Sequence, residues 1–141
     1  MSEELKAKLR QVVEEGWNAG NLDAFDEVYA ADYVHHRPPL AVFHSLEEEK
    51  QSLAGTLTAY SESRITIHEM VMEGDITMWR WTWQAKHTGQ SPGLPIPPTG
   101  KEVTLVGCNV SRWENGKIVE EWEYSDYLGF LMQLGVIPPL G

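Results

Sequence analysis

Apolar residues recur at spacings of three and four along the first part of the chain, and this pattern predicts helices. The first stripe runs from Glu3 to about Asn18 and consists of Leu5, Leu9, Val12, Val13, Gly16 and Trp17. A second, short helix is predicted from Leu22 to Tyr29, and Asp32–Pro39 is predicted to be extended because two prolines close it.

A third helix is predicted from Ser45 to about Leu57. Ser45 is the expected N-cap, and Glu48 is placed for a capping box. The three acids Glu47, Glu48 and Glu49 lie at the positive end of the helix dipole, where we expect them to be solvated.

The period then changes to two, which predicts strands at Arg64–Glu73, Ile76–Thr88, Lys101–Trp113 and Ile118 to about Ser125. Turns are expected at Gly74-Asp75 and Glu114–Lys117, a proline-rich loop at 89–100 and a closing helical turn at Tyr127–Leu134. Helices followed by an antiparallel meander indicate one α+β domain over residues 1–141. We expect its helices to cover one face of a curved sheet and to enclose an apolar pocket.

Composition narrows the function classes. Acidic residues outnumber basic ones, 21 to 11, and without a Lys/Arg cluster this argues against a nucleic-acid partner. Cys108 is the single cysteine and no zinc-type spacing is present, so no metal site is predicted. No apolar run reaches the ~18 residues of a membrane span, and the N-terminus has no signal-like region. The expectation is a soluble cytoplasmic protein.

Strand alternation sorts the candidate chemical residues by face. One face of the second strand carries Trp79, Trp81, Trp83 and His87, and the other carries Met78, Arg80, Thr82 and Lys86. Simple alternation puts Ile118, Trp122, Tyr124 and Asp126 on one face of the fourth strand, opposite Val119, Glu121 and Glu123. If the tryptophan face and the Asp126 face both point inward, Asp126 and His87 share an aromatic chamber.

Such a chamber suits proton abstraction beside a carbonyl group. Burial disfavours an ionised carboxylate, so the pKa of Asp126 is expected to rise towards a range that suits acid/base catalysis. His87 or His36 could then donate a hydrogen bond to the developing enolate oxygen.

Each of these residues also has a structural interpretation. Asp126 sits at a strand-to-helix junction, where an aspartate commonly caps the following turn. His35 and His36 fit a polar loop or a packed pair, and His87 fits a hydrogen-bonded structural role. The tryptophan row fits a core or a dimer interface, and Cys108 fits a small buried side chain.

Several segments carry a resemblance to a known family: Tyr33–Pro38, Glu73–Asp75, Lys86–Gly89, Pro97–Lys101, Glu114–Trp122 and Asp126–Gly135. On these segments, over nearly its whole length, the chain resembles the SnoaL-like polyketide cyclases, or ester cyclases, of the nuclear transport factor 2-like superfamily. One departure is Ala59–Ser63, where family members usually carry Arg-x-x-Phe-Pro-Asp, so the pocket mouth and substrate are expected to differ.

The resemblance implies a cone-shaped fold and an intramolecular aldol ring closure that uses neither metal nor organic cofactor. It also implies that Asp126 is the acid/base residue and that His36 and His87 are pocket histidines. The expected substrate is an apolar, carbonyl-containing small molecule. Its binding residues are expected to be Trp79, Trp81, Trp83, Trp122, Tyr124 and His35.

The sequence also leaves two alternative functions open and predicts an oligomeric state. The same pocket could serve a non-catalytic small-molecule binder. A hydrolase like the limonene epoxide hydrolases would need two carboxylates bridged by an arginine, and Arg80 lies on the wrong strand face for that role. A homodimer is expected because Val119, Val106 and Met78 would make the outer sheet face too apolar to leave exposed.

Overall fold

Helical segments lie before, between and after the strands in the chain order. The computed structural model describes residues 2–91 and 93–140. Helix α1 spans Ser2–Val12 and continues into a π-helical segment at Val13–Asn18; a 3-10 helix, Leu22–Glu27, follows. Helix α2 spans Leu46–Ala59, and helix α3 spans Tyr127–Gln133. Ser45 caps α2 as predicted, because its side chain accepts a hydrogen bond from the backbone N–H of Glu48 at 3.2 Å.

Six strands form a single sheet among the described residues. They are β1 Tyr29–Arg37, β2 Ala41–Phe43, β3 Tyr60–Glu73, β4 Ile76–His87, β5 Glu102–Glu114 and β6 Lys117–Ser125. Their order is β2-β1-β6-β5-β4-β3, and every neighbouring pair is antiparallel except β1 and β6, which run parallel. This curled, mainly antiparallel sheet with helices confirms the predicted α+β class.

Two strands begin earlier than predicted. Tyr29, expected at the end of a helix, is the buried first residue of β1. Strand β3 begins at Tyr60 rather than Arg64, and the ladder shifts register between Ser61 and Arg64. Glu62 lies in that shift with a φ of 53°, so a bulge carries the strand past a stretch whose alternation is irregular.

The core is mainly aromatic where the N-terminal helices meet the sheet. Trp17 packs edge-on against Phe25, with ring centroids 4.6 Å apart, and lies 6.3 Å from both Tyr29 and Trp79. A second aromatic group forms where β3 and β4 meet α3, and it consists of Tyr60, Trp83 and Phe130. Large side chains therefore fill much of the space between the helices and the sheet.

A bulge at Val119 decides which side chains of β6 point inward. Arg112 pairs with Glu120, but the next residue, Trp113, pairs with Ile118, so Val119 is an extra residue in β6. One extra residue exchanges the two faces of everything that follows it. The predicted alternation was therefore wrong beyond Ile118: Glu121 and Glu123 are buried, whereas Tyr124 is exposed.

Across the described part of the chain, no helix is both long enough and apolar enough to cross a membrane.

Candidate functional site

Five ionisable side chains lie together between α2 and the parallel pair β1–β6. They are His35 and Arg37 from β1, Glu49 from α2, and Glu121 and Glu123 from β6. We call this group the buried charge cluster. The exposed fraction is 2% for His35, 6% for Glu49 and 1% for Glu121, which is rare for charged residue types.

His35 lies between two carboxyl groups. Its Nε2 is 3.2 Å from Oε1 of Glu123, within hydrogen-bonding geometry. Its Nδ1 is 3.2 Å from Oε1 of Glu121, as an ionic contact outside that geometry. Burial alone would lower the pKa of His35, but the contacts with Glu121 and Glu123 outweigh it and raise that pKa to about 10. The imidazole is therefore a cation at neutral pH.

Arg37 joins the two sides of the cluster. Its Nη2 donates to Oε1 of Glu49 at 3.1 Å, and its Nε lies 3.4 Å from Oε1 of Glu123. Burial would raise the pKa of Glu123, but the contacts with His35 and Arg37 dominate and hold it at about 2. Glu123 is thus an ionised carboxylate between two cations.

Hydroxyl groups complete the surroundings of the two β6 carboxylates. Ser111 donates to Oε2 of Glu121 at 2.5 Å, while Ser125 and Tyr127 donate to Oε2 of Glu123 at 2.9 and 2.7 Å.

The Trp81 ring lies against Gly107, beside the Ser125 hydroxyl. A Cβ at Gly107 would come within 2.5 Å of that ring, so only glycine lets the indole lie there.

An open groove of about 460 Å³ reaches the cluster at Arg37. Its lining is mostly apolar and consists of His36, Arg37, Pro38, Pro39, Leu40, Ala41, Val42 and Trp122. Arg37 therefore borders the surface groove, and its guanidinium contacts the buried carboxylates.

Asp126 does not lie in the interior. It is exposed, and its Oδ1 accepts a hydrogen bond from the backbone N–H of Gly129 at 2.9 Å, which caps α3. The expectation that alternation carries Asp126 into an aromatic chamber with His87 was wrong, because the bulge at Val119 intervenes. The capping interpretation accounts for its contacts.

His87 is fully buried at the end of β4 and stacks on Tyr60 with ring centroids 5.1 Å apart. Its Nδ1 accepts the backbone N–H of Thr99 at 3.2 Å, so the ring proton sits on Nε2. Among the residues that the structure describes, Nε2 has no hydrogen-bond partner. Its predicted role as a donor to substrate stays a prediction.

The two tandem histidines point to opposite faces. His36, expected in the pocket, stacks on Trp122 with centroids 5.4 Å apart and lies 2.8 Å from Oε2 of Glu120 on the outer face. His35 is the inward one. Trp122 and Tyr124 were expected to line the interior, and the bulge instead turns both outward; Tyr124 is 54% exposed.

The tryptophans of β4 lie on the inner face. Trp79, Trp81 and Trp83 are buried, and the indole N–H of Trp81 donates to Oδ1 of Asn109 at 2.8 Å. On the opposite face, Arg80 pairs with Glu69 at 2.6 Å. Within the described ranges, no group of three or more His, Cys, Asp or Glu side chains is arranged to hold a metal ion.

Comparison with protein-family profiles shows to which family the chain belongs. The profile of the SnoaL-like polyketide cyclases matches residues 7–134. The chain belongs to this family. Its members are named for a cyclase activity, which agrees with the resemblance seen in the sequence segments. None of the proteins with curated functions gives a significant match.

Solved structures share the fold of this SnoaL-like chain. AclR from Streptomyces galilaeus, a candidate hydroxylase, is 27% identical with a TM-score of 0.84, over 99% of this chain and 85% of AclR. IdmH from Streptomyces antibioticus, a candidate polyketide cyclase, is 27% identical with a TM-score of 0.78, over 93% of this chain and 98% of IdmH. A SnoaL-like protein from Jannaschia, at 17% identity and a TM-score of 0.85 over 96% and 94%, shows the fold alone.

Sequence reasoning missed the three glutamates of the cluster, although one of them carried a signal. Glu49 is three residues after Leu46 and four before Leu53, so it lies on the apolar face of α2. Leu46, Glu49 and Leu53 are all buried. Glu121 and Glu123 are two residues apart, which puts them on one strand face. The sequence pattern contains no sign of the bulge that selects that face.

Proposed function

We propose that this SnoaL-like chain is an enzyme that carries out cofactor-independent acid/base chemistry on an apolar small molecule containing a carbonyl group. The reaction class is an intramolecular aldol-type ring closure or an isomerisation. The observation that carries the proposal is the buried charge cluster, in which cations and carboxyl groups meet largely shielded from water.

A cluster of this kind is a poor device for stability. Taking charges out of water is expensive, and buried ion pairs are often replaceable by apolar residues without loss. Proton transfer beside a carbonyl, however, requires a base to move the proton, a role that a carboxylate can fill, and a cationic or hydrogen-bond donor for the enolate oxygen. The cluster supplies both at one point of the interior.

Arg37 is the best-placed donor for the substrate oxygen. Its Nε lacks a well-aligned hydrogen bond within the described residues, although it lies 3.4 Å from Glu123. Arg37 also borders the apolar groove, whose prolines and aliphatic side chains suit an apolar substrate. In this proposal the substrate approaches through the groove and its carbonyl oxygen is held by the guanidinium.

One observation also favours a second candidate, the hydrolysis of an epoxide. Arg80 cannot bridge two carboxylates, but Arg37 does, between Oε1 of Glu49 and Oε1 of Glu123. In that reaction one carboxyl group donates a proton to the epoxide oxygen and the other removes a proton from the attacking water. The carboxylate–arginine–carboxylate arrangement fits both reactions, so the substrate probe must separate them.

The test uses two named probes and two matched arginine variants. Wild-type protein is incubated with 1-tetralone in D₂O, with deuterium uptake beside the carbonyl measured by mass spectrometry, and with cyclohexene oxide, with diol formation measured. We expect enzyme-dependent exchange into 1-tetralone. We expect Arg37→Met to lower it by at least ~100-fold, the low end for a positioned catalytic group, and Arg80→Met to leave it unchanged.

Three results would count against this proposal. Diol formation without ketone exchange would favour the epoxide hydrolase. Absence of both reactions together with tight binding of 2-naphthol, measured by tryptophan quenching, would favour a non-catalytic binder. Equal rates in Arg37→Met and Arg80→Met would remove the cluster from the mechanism. Because Arg37→Met could fail to fold, circular dichroism and the milder Arg37→Lys accompany it.

A further inference from the structure

The three carboxyl groups of the buried charge cluster differ in how many of their oxygens are held. Both oxygens of Glu121 and both of Glu123 have a contact with a cation or a hydroxyl group. Oε1 of Glu49 accepts from Arg37 at 3.1 Å. Oε2 of Glu49 is buried and has no hydrogen-bond partner within residues 2–91 and 93–140.

We infer that Glu49 is the proton carrier of the site and that its Oε2 takes the proton from the substrate carbon. This inference rests on the proposed function and adds to it a residue that lies on a helix rather than on the sheet. An unpartnered carboxyl oxygen in the interior leaves a strong acceptor unsatisfied, and a bound substrate provides what is missing.

Charge counting points to the same residue. Three carboxyl groups, those of Glu49, Glu121 and Glu123, face only two cations, His35 and Arg37. A neutral buried cluster therefore requires one of the three to hold a proton. The β6 carboxylates each have two held oxygens, so the exchangeable proton belongs on Glu49.

The electrostatic surroundings support this assignment. Burial raises the pKa of Glu49, the nearby His35 and Arg37 lower it, and Glu123 and Glu121 raise it, with a raised pKa as the result. Glu123, with a pKa of about 2, stays ionised at neutral pH and cannot carry a proton there. Tyr33 is buried beside the cluster and its pKa is raised by that burial, so it also keeps its proton.

The proposed proton transfer uses only Glu49, Arg37 and the substrate. Glu49 acts after it has lost the exchangeable proton to solvent, which the acid limb of the pH–rate profile reports. The carboxylate then removes a proton from the carbon beside the carbonyl: the C–H bond breaks, an O–H bond forms at Oε2, and the electron pair becomes an enolate whose oxygen is held by Arg37. In a ring closure the enolate carbon then bonds to a second carbonyl carbon of the substrate. The resulting alkoxide takes the proton back from Glu49, which restores the carboxylate.

The variants Glu49→Gln, Glu49→Asp and Glu47→Gln test the assignment. Glutamine keeps the size of Glu49 and an oxygen for Arg37 but cannot carry a proton, and exposed Glu47 is the matched control two residues away. We expect Glu49→Gln to lose at least ~100-fold of the 1-tetralone exchange while it still binds 2-naphthol. The acid limb of the pH–rate profile should vanish in Glu49→Gln and persist, at a lower rate, in Glu49→Asp.

A measurement without substrate separates this inference from the proposed function. The infrared carbonyl band of a protonated carboxyl group should persist above the normal titration range of glutamate in wild type and Glu47→Gln, and be absent in Glu49→Gln. If wild type exchanges and Glu49→Gln exchanges equally fast, or if the band survives in Glu49→Gln, Glu49 is not the carrier although the function stands. If wild type shows the band without exchange, the assigned proton is present but the proposed reaction is refuted.

Discussion

The two faces of the sheet differ in a way that reverses the usual distribution of polarity. At the β1–β6 end, the inner face buries the five ionisable side chains of the cluster. The outer face carries a row of paired residues that crosses all six strands: Val42, His36, Trp122, Val110, Met78 and Val71. Val42, Met78 and Val71 in this outer row are exposed.

This contrast indicates that neither face is optimised for the stability of a lone chain. Buried charges lower stability unless every group is matched, and exposed aliphatic side chains gain nothing from water. We therefore assign the inner face to chemistry, with its groove opening past Val42, His36 and Trp122 at the β1–β6 end. We expect a second copy to cover the other end of the outer face, around Met78 and Val71, in line with the dimer that the sequence predicted. The following experiments test this division of roles.

The largest effect is expected from removing an acid on the inner face. Glu123→Ala leaves His35 and Arg37 as buried cations without their shared partner, and we expect a loss of about 3–5 kcal/mol in the free energy of unfolding. Glu120→Ala removes an acid from the outer face of the same strand, where Arg112 and His36 remain in contact with water, and should cost less than about 1 kcal/mol. Urea denaturation measures both; equal losses would mean that the faces do not differ in this respect.

The pH dependence of stability should report the inner face next. His35 has a pKa raised from 6.5 to about 10, so its stabilisation is complete below pH 6.5 and is lost as the pH rises through 10. Glu123 has a pKa lowered from 4.5 to about 2, so its stabilisation is complete above pH 4.5 and is lost as the pH falls through 2. The contributions of these two groups are therefore both complete between pH 4.5 and 6.5.

Above pH 6.5 the free energy of unfolding should fall by a few kcal/mol, on the order of 1.4 kcal/mol for each pKa unit. The raised pKa of Glu49 adds a loss of stability that begins at a lower pH, above the ordinary value of 4.5, because the folded state holds its proton to higher pH. His35→Gln should flatten this alkaline decline in urea titrations run at several pH values. A wild-type profile that stays level up to pH 10 would show that His35 is not a buried cation.

The outer face is tested by assembly. We expect a dimer at micromolar concentration in analytical ultracentrifugation. Met78→Glu places a charge in the middle of the outer row and should raise the dissociation constant at least ~10-fold, about 1.4 kcal/mol. Leu140→Glu, a change at a residue exposed in the C-terminal tail, is the control. A monomeric wild type would refute the expectation that a second copy covers this face.

The smallest effect is expected at Asp126, which belongs to neither face. Asp126→Ala removes the N-cap of α3 and should cost about 1 kcal/mol, whereas Asp126→Asn keeps a capping oxygen and should cost only a few tenths. Both variants should retain 1-tetralone exchange. If Asp126→Asn loses about 100-fold or more of the exchange at unchanged stability, the role implied by the family resemblance is right and the cluster is not the catalyst.

Most of the fold could be predicted because local patterns determine it. Helical spacing, the Ser45 cap and the turn at Gly74-Asp75 appear where the sequence indicates them. The site could not be predicted in the same way, since a single inserted residue at Val119 changes the face of every later residue in β6. A bulge is set by the partner strand, and the alternation within β6 does not contain that information.

Glu49 illustrates a second limit. A glutamate in the first turn of a helix is usually solvated, so residue type favoured the surface. Its spacing from Leu46 and Leu53 favoured the interior, and packing of α2 on β1 decided between the two. Spacing along a helix was therefore the better guide than residue type.

The parallel pairing of β1 with β6 also has a consequence for biosynthesis. β1 spans residues 29–37 and β6 spans residues 117–125, so one half of this ladder leaves the ribosome long before the other is made. Until then β1 can pair only with the three-residue β2, and His35 and Arg37 lack their β6 carboxylates. Such long-range closure is intrinsically slow. A nascent chain that ends before Lys117 should therefore remain sensitive to proteases at its N-terminal half, and resistance should appear only once β6 has emerged.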